Sequence, residues 1–271
     1  MGKRSICRFL LAAMMMVLSS CAQEPASVNS PNDTEANPET SFQENMPGIE
    51  NPSDPDQEEG DVGTQIQLIA DNISLWQGEA DTEPYGYAVT DLDQNGRLEI
   101  ISSSCQGTGI YSYNNIWEVN EACDELTLLE KTIDEYTSQA DILVESVPVY
   151  FDSGNNAYHY VFDDLTKNGA AEYYQNKRAL CLQDGKLIER FLAYKTTMYH
   201  DSTPTVTCTD ADTNPISEED YQNIGDKVFS KMEKKQAAFY WITEENAGLY
   251  ALKDTDIKSA LKESYHGFTI S

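Results

Sequence analysis

Basic residues are scarce in this 271-residue chain, and their scarcity limits which partners it can bind. Lysine and arginine together number 18 against 46 aspartates and glutamates, so the formal net charge is −28 at pH 7. Binding of nucleic acid relies on cationic side chains that neutralise phosphates. We therefore expect no nucleic-acid partner, and we expect cations, or surfaces that carry cations, to be favoured instead.

Catalytic motifs are also missing from the sequence. It contains no GxSxG nucleophile turn, no HExxH zinc motif and no phosphate-binding loop. The three histidines, His159, His200 and His266, are far apart in the chain. Paired carboxylates can serve a glycosidase, but so acidic a chain offers too many pairs for any to be informative. We expect a binding or interaction protein; the alternative is a cell-surface hydrolase, such as a glycosidase, or an accessory domain of one.

The N-terminus indicates export and lipidation. Basic residues within positions 1–8 precede an apolar run at 9–18, which is too short to cross a bilayer as a stable helix. The run leads into the sequence LSSC, which ends at Cys21. In this order the features resemble the lipobox signal of bacterial lipoproteins. The resemblance implies a signal peptide at 1–20, a lipid on Cys21, and attachment to the cell membrane facing outside the cytoplasm.

The segment after Cys21 is poor in apolar residues. Residues 22–62 contain no lysine or arginine, but they hold eleven acids, six prolines and a single aromatic residue, Phe42. Such a stretch buries too little apolar surface to offset the entropy of ordering. We predict an acidic disordered tether at 21–62, followed by a single α+β domain at 63–271.

Cysteine usage leaves the disulfide state open. Cys7 belongs to the predicted signal peptide and Cys21 to the predicted lipid anchor. The compartment permits disulfides, and the remaining four cysteines allow three full pairings between which spacing cannot choose. No CxxC pattern occurs, so neither a redox motif nor a zinc ribbon is indicated. These four are Cys105, Cys123, Cys181 and Cys208.

The apolar spacing predicts an α+β fold: a mostly antiparallel sheet of meanders and hairpins, with an N-terminal helix and two C-terminal helices packed on it. Helical spacing predicts the first helix at 64–78 and the last two at 216–236 and 254–267. Strand patterns dominate the region between them. Within that region the dipeptide Asp184-Gly185 is the strongest hairpin signal.

One acidic stretch, DLDQNGRLEII at 91–101, has the composition of a cation-binding loop. Calcium prefers six to eight oxygen ligands, and a loop that wraps one ion presents them from positions 1, 3, 5, 7 and 9. Gly96 occupies position 6, where a sharp turn needs conformational freedom. The predicted calcium ligands are the side chains of Asp91, Asp93, Asn95 and Glu99 and the main-chain carbonyl of Arg97.

The flanks of this loop distinguish it from an EF-hand. An EF-hand has a bidentate glutamate at position 12 and a helix on each side, whereas this chain has Ser102 there and strand patterns on both sides. The stretch instead resembles the DxDxDG loops of integrin-type propeller repeats, in which a strand–loop–strand unit holds calcium. The resemblance implies the ion ligands and not the propeller fold. The alternative is a polar hairpin turn at Asn95-Gly96, which explains those two residues but not the surrounding acids.

Two further stretches imitate the loop incompletely. The first, at 164–172, has Thr166 in place of the second aspartate, and we predict a turn there. The second, at 210–218, has Pro215 where glycine is needed, and we predict that it leads into a helix.

Tyrosine is the most conspicuous positive feature, with 16 residues. Several lie on predicted strands and are candidates for a face that binds a polysaccharide or a surface protein. The alternative is that they are ordinary half-buried strand residues. The eight candidates are Tyr85, Tyr87, Tyr111, Tyr113, Tyr158, Tyr160, Tyr173 and Tyr174.

Overall fold

A computed structural model describes residues 55–78, 85–108, 110–132, 139–200, 203–243 and 254–271. These residues belong to one compact unit of the chain. The predicted signal peptide, Cys21 and most of the predicted tether lie outside the described residues.

The described elements are a long run of strands and five helices, which lie before, within and near the end of that run. The helices are α1 (Pro55–Asp71), α2 (Ile73–Trp76), α3 (Glu218–Gln222), α4 (Ile224–Val228) and α5 (Asp254–Gly267). The strands are β1 (Tyr85–Thr90), β2 (Glu99–Gln106), β3 (Tyr111–Val119), β4 (Leu126–Leu128), β5 (Glu130–Lys131), β6 (Ser146–Asp152), β7 (Ala157–Asn168), β8 (Glu172–Gln183), β9 (Lys186–His200), β10 (Thr203–Asp210), β11 (Pro215–Ile216), β12 (Glu233–Ala238), β13 (Ile242–Thr243) and β14 (Thr269–Ile270).

The strands form two sheets. The first has the order β13-β1-β2-β3-β4, and the second has the order β11-β10-β9-β8-β7-β6-β12-β14. Their neighbouring strands are antiparallel, and the short strand β5 adds a parallel pairing with β9. The predicted mostly antiparallel α+β fold is therefore confirmed, although the strands form two sheets where one was expected.

The two faces of the first sheet pack against different partners. Because successive side chains of a strand point to opposite faces, Ile100 and Ile101 of β2 belong to separate cores. Ile100 lies in a cluster with α1 and α5 residues, whereas Ile101 lies in a cluster with side chains of the second sheet. A third cluster packs Tyr221 of α3 and Ile224 of α4 on the other face of the second sheet. The sheets thus pack face to face, with helices outside.

The predicted β8–β9 hairpin is present, with the turn that its sequence predicts. Asp184 has φ of 51° and Gly185 has φ of 70°. Positive φ at both central residues is the requirement of a type I′ turn, which Asp-Gly favours. Gln183 consequently pairs with Lys186, and this register continues as far as Arg178 opposite Phe191, beyond which a bulge shifts it by one residue.

Two sequence predictions are wrong at their boundaries. Helix α1 begins at Pro55, so the predicted tether at 21–62 extends too far; proline followed by acidic residues is itself a helix-start pattern. The predicted helix at 216–236 is two short helices that end at Val228, and residues 233–236 are part of β12. There β12 pairs with β6, with Lys235 opposite Val149. That long-range pairing overrides the local helix propensity of the lysine-rich segment.

Candidate metal centre

The acidic loop joins β1 to β2, as the predicted strand–loop–strand unit requires. The two strands pair antiparallel, with Thr90 opposite Glu99 at the base of the loop. The backbone turns sharply within it, because Gln94 and Gly96 have φ of 57° and 83°. The glycine is therefore placed where a left-handed conformation is needed.

Three of the predicted ligands converge. One carboxylate oxygen from each of Asp91, Asp93 and Glu99 lies within 4.8 Å of the other two. Two oxygens bound to the same calcium ion at 2.3–2.6 Å are separated by at most about 5 Å. The spacing of the three carboxylates is thus compatible with a shared cation.

Glu99 is the deepest of the three side chains and is fully buried at 0 % exposure. Its Oε2 accepts hydrogen bonds from the Thr90 hydroxyl and from the Leu92 main-chain N–H, each at 2.8 Å. Its Oε1 has no hydrogen-bond partner. Buried polar atoms are nearly always paired, and an exception points to an unseen ligand or to a functional role.

Main-chain donors hold the first aspartate in place. The Asp91 carboxylate accepts from the N–H of Asn95 at 2.9 Å and from the N–H of Gly96 at 3.1 Å. The Asp93 carboxylate accepts from the Asn95 side-chain amide at 3.0 Å. Hydrogen bonds within the loop therefore hold both acids close together without an ion.

The side chains of the other two residues in the predicted ligand set, Asn95 and Arg97, bond to protein groups. The Asn95 Oδ1 accepts from the Arg97 N–H at 2.7 Å, so its amide nitrogen, not its oxygen, faces Asp93. The guanidinium of Arg97 forms an ion pair with Glu118 at 2.8 Å. The structure thus brings three of the four predicted side-chain ligands together. The amide of Asn95 would have to rotate by about 180° to turn its oxygen toward them.

Burial and mutual repulsion make the anionic state of all three carboxylates unfavourable. Burial raises the pKa of Asp91 to about 6, and the charge of Asp93 adds to this rise. Burial also raises the pKa of Asp93, with Glu118 as the next cause. Burial raises the pKa of Glu99 well above its usual range, and Asp91 contributes. A cation among the three carboxylates would relieve these effects, since opposite charge favours the ionised form.

Two supporting residues were missed by sequence reasoning. Gln65 of α1 donates its Nε2–H to the Gly96 carbonyl at 2.9 Å and accepts the Leu98 N–H at 2.7 Å, so it clamps the end of the loop. Tyr160 of β7 donates its hydroxyl to the Leu92 carbonyl at 2.6 Å. Neither could be found from the local pattern, because each lies more than thirty positions from its partner.

Glu118 was also missed, although a signal for it exists. It lies directly opposite Glu99 in the β2–β3 pairing and accepts from both Asn95 and Arg97. The sequence QGTG at 106–109 is a turn signal, and a turn at those residues would place Ile116 opposite Glu99. The observed turn lies one residue later, and Ile110 within it has φ of 52°. A correct turn position would have revealed the fourth acid.

The tyrosines do not form one surface. Tyr87 and Tyr160 are core residues at 0 % and 1 % exposure, whereas Tyr111 and Tyr113 are each 44 % exposed. Tyr173 lies on β8 in the second sheet, where its ring meets that of Tyr199 edge to face. The eight candidates are thus divided between the core and separate surfaces.

In the described part of the chain, neither the two loop-like stretches nor the four cysteines belong to a cluster of side chains that could hold a metal ion. The stretch at 164–172 contains the predicted turn at residues 169–171, but residues 164–168 belong to β7, where Asp164 pairs with Arg178. Residues 210–218 lead into α3, where Ser217 caps the helix by accepting the Asp220 N–H. No disulfide joins any two of the four described cysteines, two of which are buried.

Comparison with known proteins adds no assignment: no family model, curated protein or solved structure matches this chain.

Proposed function

We propose that this chain is a lipid-anchored, extracytoplasmic binding protein and that its loop at 91–99 holds one structural calcium ion. The observation that carries the calcium proposal is the fully buried Glu99, whose Oε1 lacks a partner beside the carboxylates of Asp91 and Asp93. A buried acid without a compensating partner is costly, and a divalent cation is the simplest partner for three such groups.

The ligand set is formed entirely by oxygen donors. Asp91, Asp93 and Glu99 supply carboxylates, the Arg97 main chain supplies a carbonyl, and Asn95 supplies its oxygen once its amide rotates. Oxygen donors in this number suit calcium, whereas magnesium keeps several waters and is seldom held in such loops. The ion would fix the β1–β2 connection, and extracellular sites of this kind bind at about 10⁻⁴ to 10⁻³ M.

The test is thermal unfolding of the chain from Ala22 onward, at fixed ionic strength, in calcium, in magnesium and in chelator. An ion that binds the native state alone stabilises it by about 1.4 kcal/mol when its concentration is ten times the dissociation constant. In a chain of this size that raises the midpoint by about 3–5 °C. We expect the rise with calcium and not with magnesium.

The matched variants separate this loop from other acidic turns. Asp91→Ala with Asp93→Ala removes two ligands and should abolish the calcium shift. Asp210→Ala with Asp212→Ala removes two acids from the imitating stretch and should leave the shift intact. An equal calcium shift in the two double variants, or none in the wild type, would contradict the proposal.

The membrane proposal depends on Cys21, which lies outside the described residues. No helix in the part of the chain that the structure describes is long and apolar enough to cross a membrane. We expect expression with Cys21→Ser to abolish labelling by radioactive fatty acid and to move the protein out of the membrane fraction. Continued labelling in that variant would exclude this lipid site.

A further inference from the structure

A cleft far from the metal centre lies between the β2–β3 turn and the end of the β7–β8 hairpin. Its volume is about 550 Å³, and Tyr111, Lys167, Asn168, Ala170 and Tyr173 contribute to its walls. Small-molecule sites typically have about 300–1,000 Å³. The two hairpins come from different sheets, so the cleft is a product of the tertiary fold.

Aromatic rings form two of its walls. Tyr111 is 44 % exposed, and Tyr173 stands on β8 directly opposite Lys167 on β7. The ring of Tyr199 supports Tyr173 edge to face, with centroids 5.7 Å apart and an interplanar angle of 75°. Tyrosine combines an apolar ring with a polar tip and is frequent where a ligand is partly apolar and partly hydrated.

The charge of the cleft is opposite to that of the chain. Lys167 is its one charged lining residue, in a protein with 46 acids and 18 basic residues. The side chain of Lys167 makes no ion pair and no hydrogen bond with the described residues. The nearby Glu172 accepts from Asn168 and from the Tyr174 hydroxyl, and it projects from the sheet face opposite to Lys167. No acid of the described residues therefore pairs with the side chain of the half-buried Lys167.

We propose that this cleft binds an acidic saccharide, a sugar whose ring carries a carboxylate. The C–H face of the sugar would lie on the rings of Tyr111 and Tyr173, while Lys167 would pair with the carboxylate. A peptide fits less well, because the lining has no aliphatic side chain larger than alanine. The inference rests on the proposed binding role of the chain and is independent of calcium.

The net negative charge does not prevent such binding. Charges more than about 8 Å away are largely screened at physiological ionic strength, whereas a partly buried pair in contact is screened much less. The local pair with Lys167 therefore decides the affinity. Added salt should weaken binding of the acidic sugar only modestly.

The experiment is calorimetric titration of the chain from Ala22 onward with two matched probes, β-1,4-linked triglucuronate and cellotriose. The two have the same linkage and length and differ in the carboxylates. Chelator is present throughout, so that calcium cannot bridge the acidic probe to acidic side chains. We expect triglucuronate to bind at least tenfold more tightly than cellotriose. Equal affinity for the two, or no binding of either, would overturn the proposal.

The structure provides matched control variants. Tyr111 and Tyr113 lie on the same face of β3 with the same 44 % exposure, but only Tyr111 lines the cleft. We expect Tyr111→Ala to weaken triglucuronate binding at least tenfold and Tyr113→Ala to change it less than twofold. Likewise Lys167→Met should weaken it tenfold, whereas Lys186→Met, at the opposite end of the second sheet, should not. Equal losses within either pair would contradict the assignment of the cleft.

Two further measurements separate this inference from the calcium proposal and from general anion binding. Each cleft variant should keep the calcium-dependent rise in melting temperature, and the Asp91→Ala, Asp93→Ala variant should keep triglucuronate binding. Loss of saccharide binding alone would therefore remove the cleft proposal and leave the calcium site. Tighter binding of a glycerol phosphate trimer than of triglucuronate would overturn the carboxylate-sugar class.

Discussion

The two oxygens of the Glu99 carboxylate have different surroundings, and this difference gives a test at the scale of one residue. Oε2 has two donors, whereas Oε1 has none. In Glu99→Gln the amide oxygen can keep both donors, while the NH₂ group faces Asp91 and Asp93 as a donor. Without calcium we expect this variant to be more stable than wild type by about 1 kcal/mol.

With calcium, the same variant should behave in the opposite way. The amide cannot supply an anionic ligand, so we expect the calcium-dependent rise in melting temperature to be lost. Asp210→Asn is the control, because hydrogen bonds from Asn214 lower the pKa of Asp210 and its charge is favourable. That variant should lose stability in chelator and keep the calcium shift. A Glu99→Gln protein that is destabilised in chelator would contradict the picture of an uncompensated buried acid.

Gln65 is the second residue whose role can be isolated. Gln65→Met keeps most of the side-chain volume but leaves the Gly96 carbonyl and the buried Leu98 N–H without their partner. An unsatisfied buried group costs about 1–3 kcal/mol. We expect chemical denaturation to show a loss of that size, together with a weaker affinity for calcium.

Gln67 on the same helix is the matched control for Gln65. Its side chain donates a hydrogen bond to the Asp71 carboxylate within α1 at 2.6 Å, and it makes no hydrogen bond to the described residues of the loop. Gln67→Met should therefore change the free energy of unfolding by only a few tenths of a kcal/mol and leave calcium affinity unchanged. Similar effects of the two substitutions would show that Gln65 acts through helix stability and not through the loop.

At the scale of elements, two glycines have opposite requirements. Gly185 has φ of 70° in the β8–β9 turn, whereas Gly63 lies within α1, and a Cβ there would meet no atom within 4 Å. We expect Gly185→Ala to destabilise the protein by about 1 kcal/mol because of the left-handed conformation. Gly63→Ala should stabilise it by about 0.5–1 kcal/mol. Urea unfolding of both variants measures these changes, and a stabilising Gly185→Ala would contradict the turn assignment.

The same elements show which features the sequence was able to predict. The β8–β9 hairpin follows from Asp184-Gly185 because its turn chemistry is local. The residues that the sequence predicts as metal ligands likewise lie within nine positions of one another, and the carboxylates of three of them lie close together. The start of β12 could not be predicted, since its lysine-rich segment is a strand only through pairing with β6. The role of Gln65 was inaccessible for the same reason, because its partners are defined by the packing of α1 on the first sheet.

At the scale of the whole molecule, the charge of −28 affects stability independently of the loop. Self-repulsion destabilises the compact state, and salt screens it as the Debye length falls from about 30 Å at 0.01 M to about 8 Å at 0.15 M. In chelator we expect the melting temperature to rise with sodium chloride. The melting temperature of the Asp91→Ala, Asp93→Ala variant should rise similarly, because this variant keeps most of the acids.

Calcium can act through this diffuse charge as well as through the loop, and fixed ionic strength separates the two effects. Diffuse screening depends on ionic strength and does not require particular ligands. If calcium acted only in this way, magnesium would raise the melting temperature as much as calcium does, and the double variant would respond like the wild type. A loop site requires Asp91 and Asp93 and discriminates between the two ions. We expect a calcium-specific increment in the wild type that the double variant lacks at every salt concentration. An increment of equal size in both proteins would assign the effect of calcium to the acidic surface as a whole, and the converging carboxylates would then be a feature of the hairpin alone.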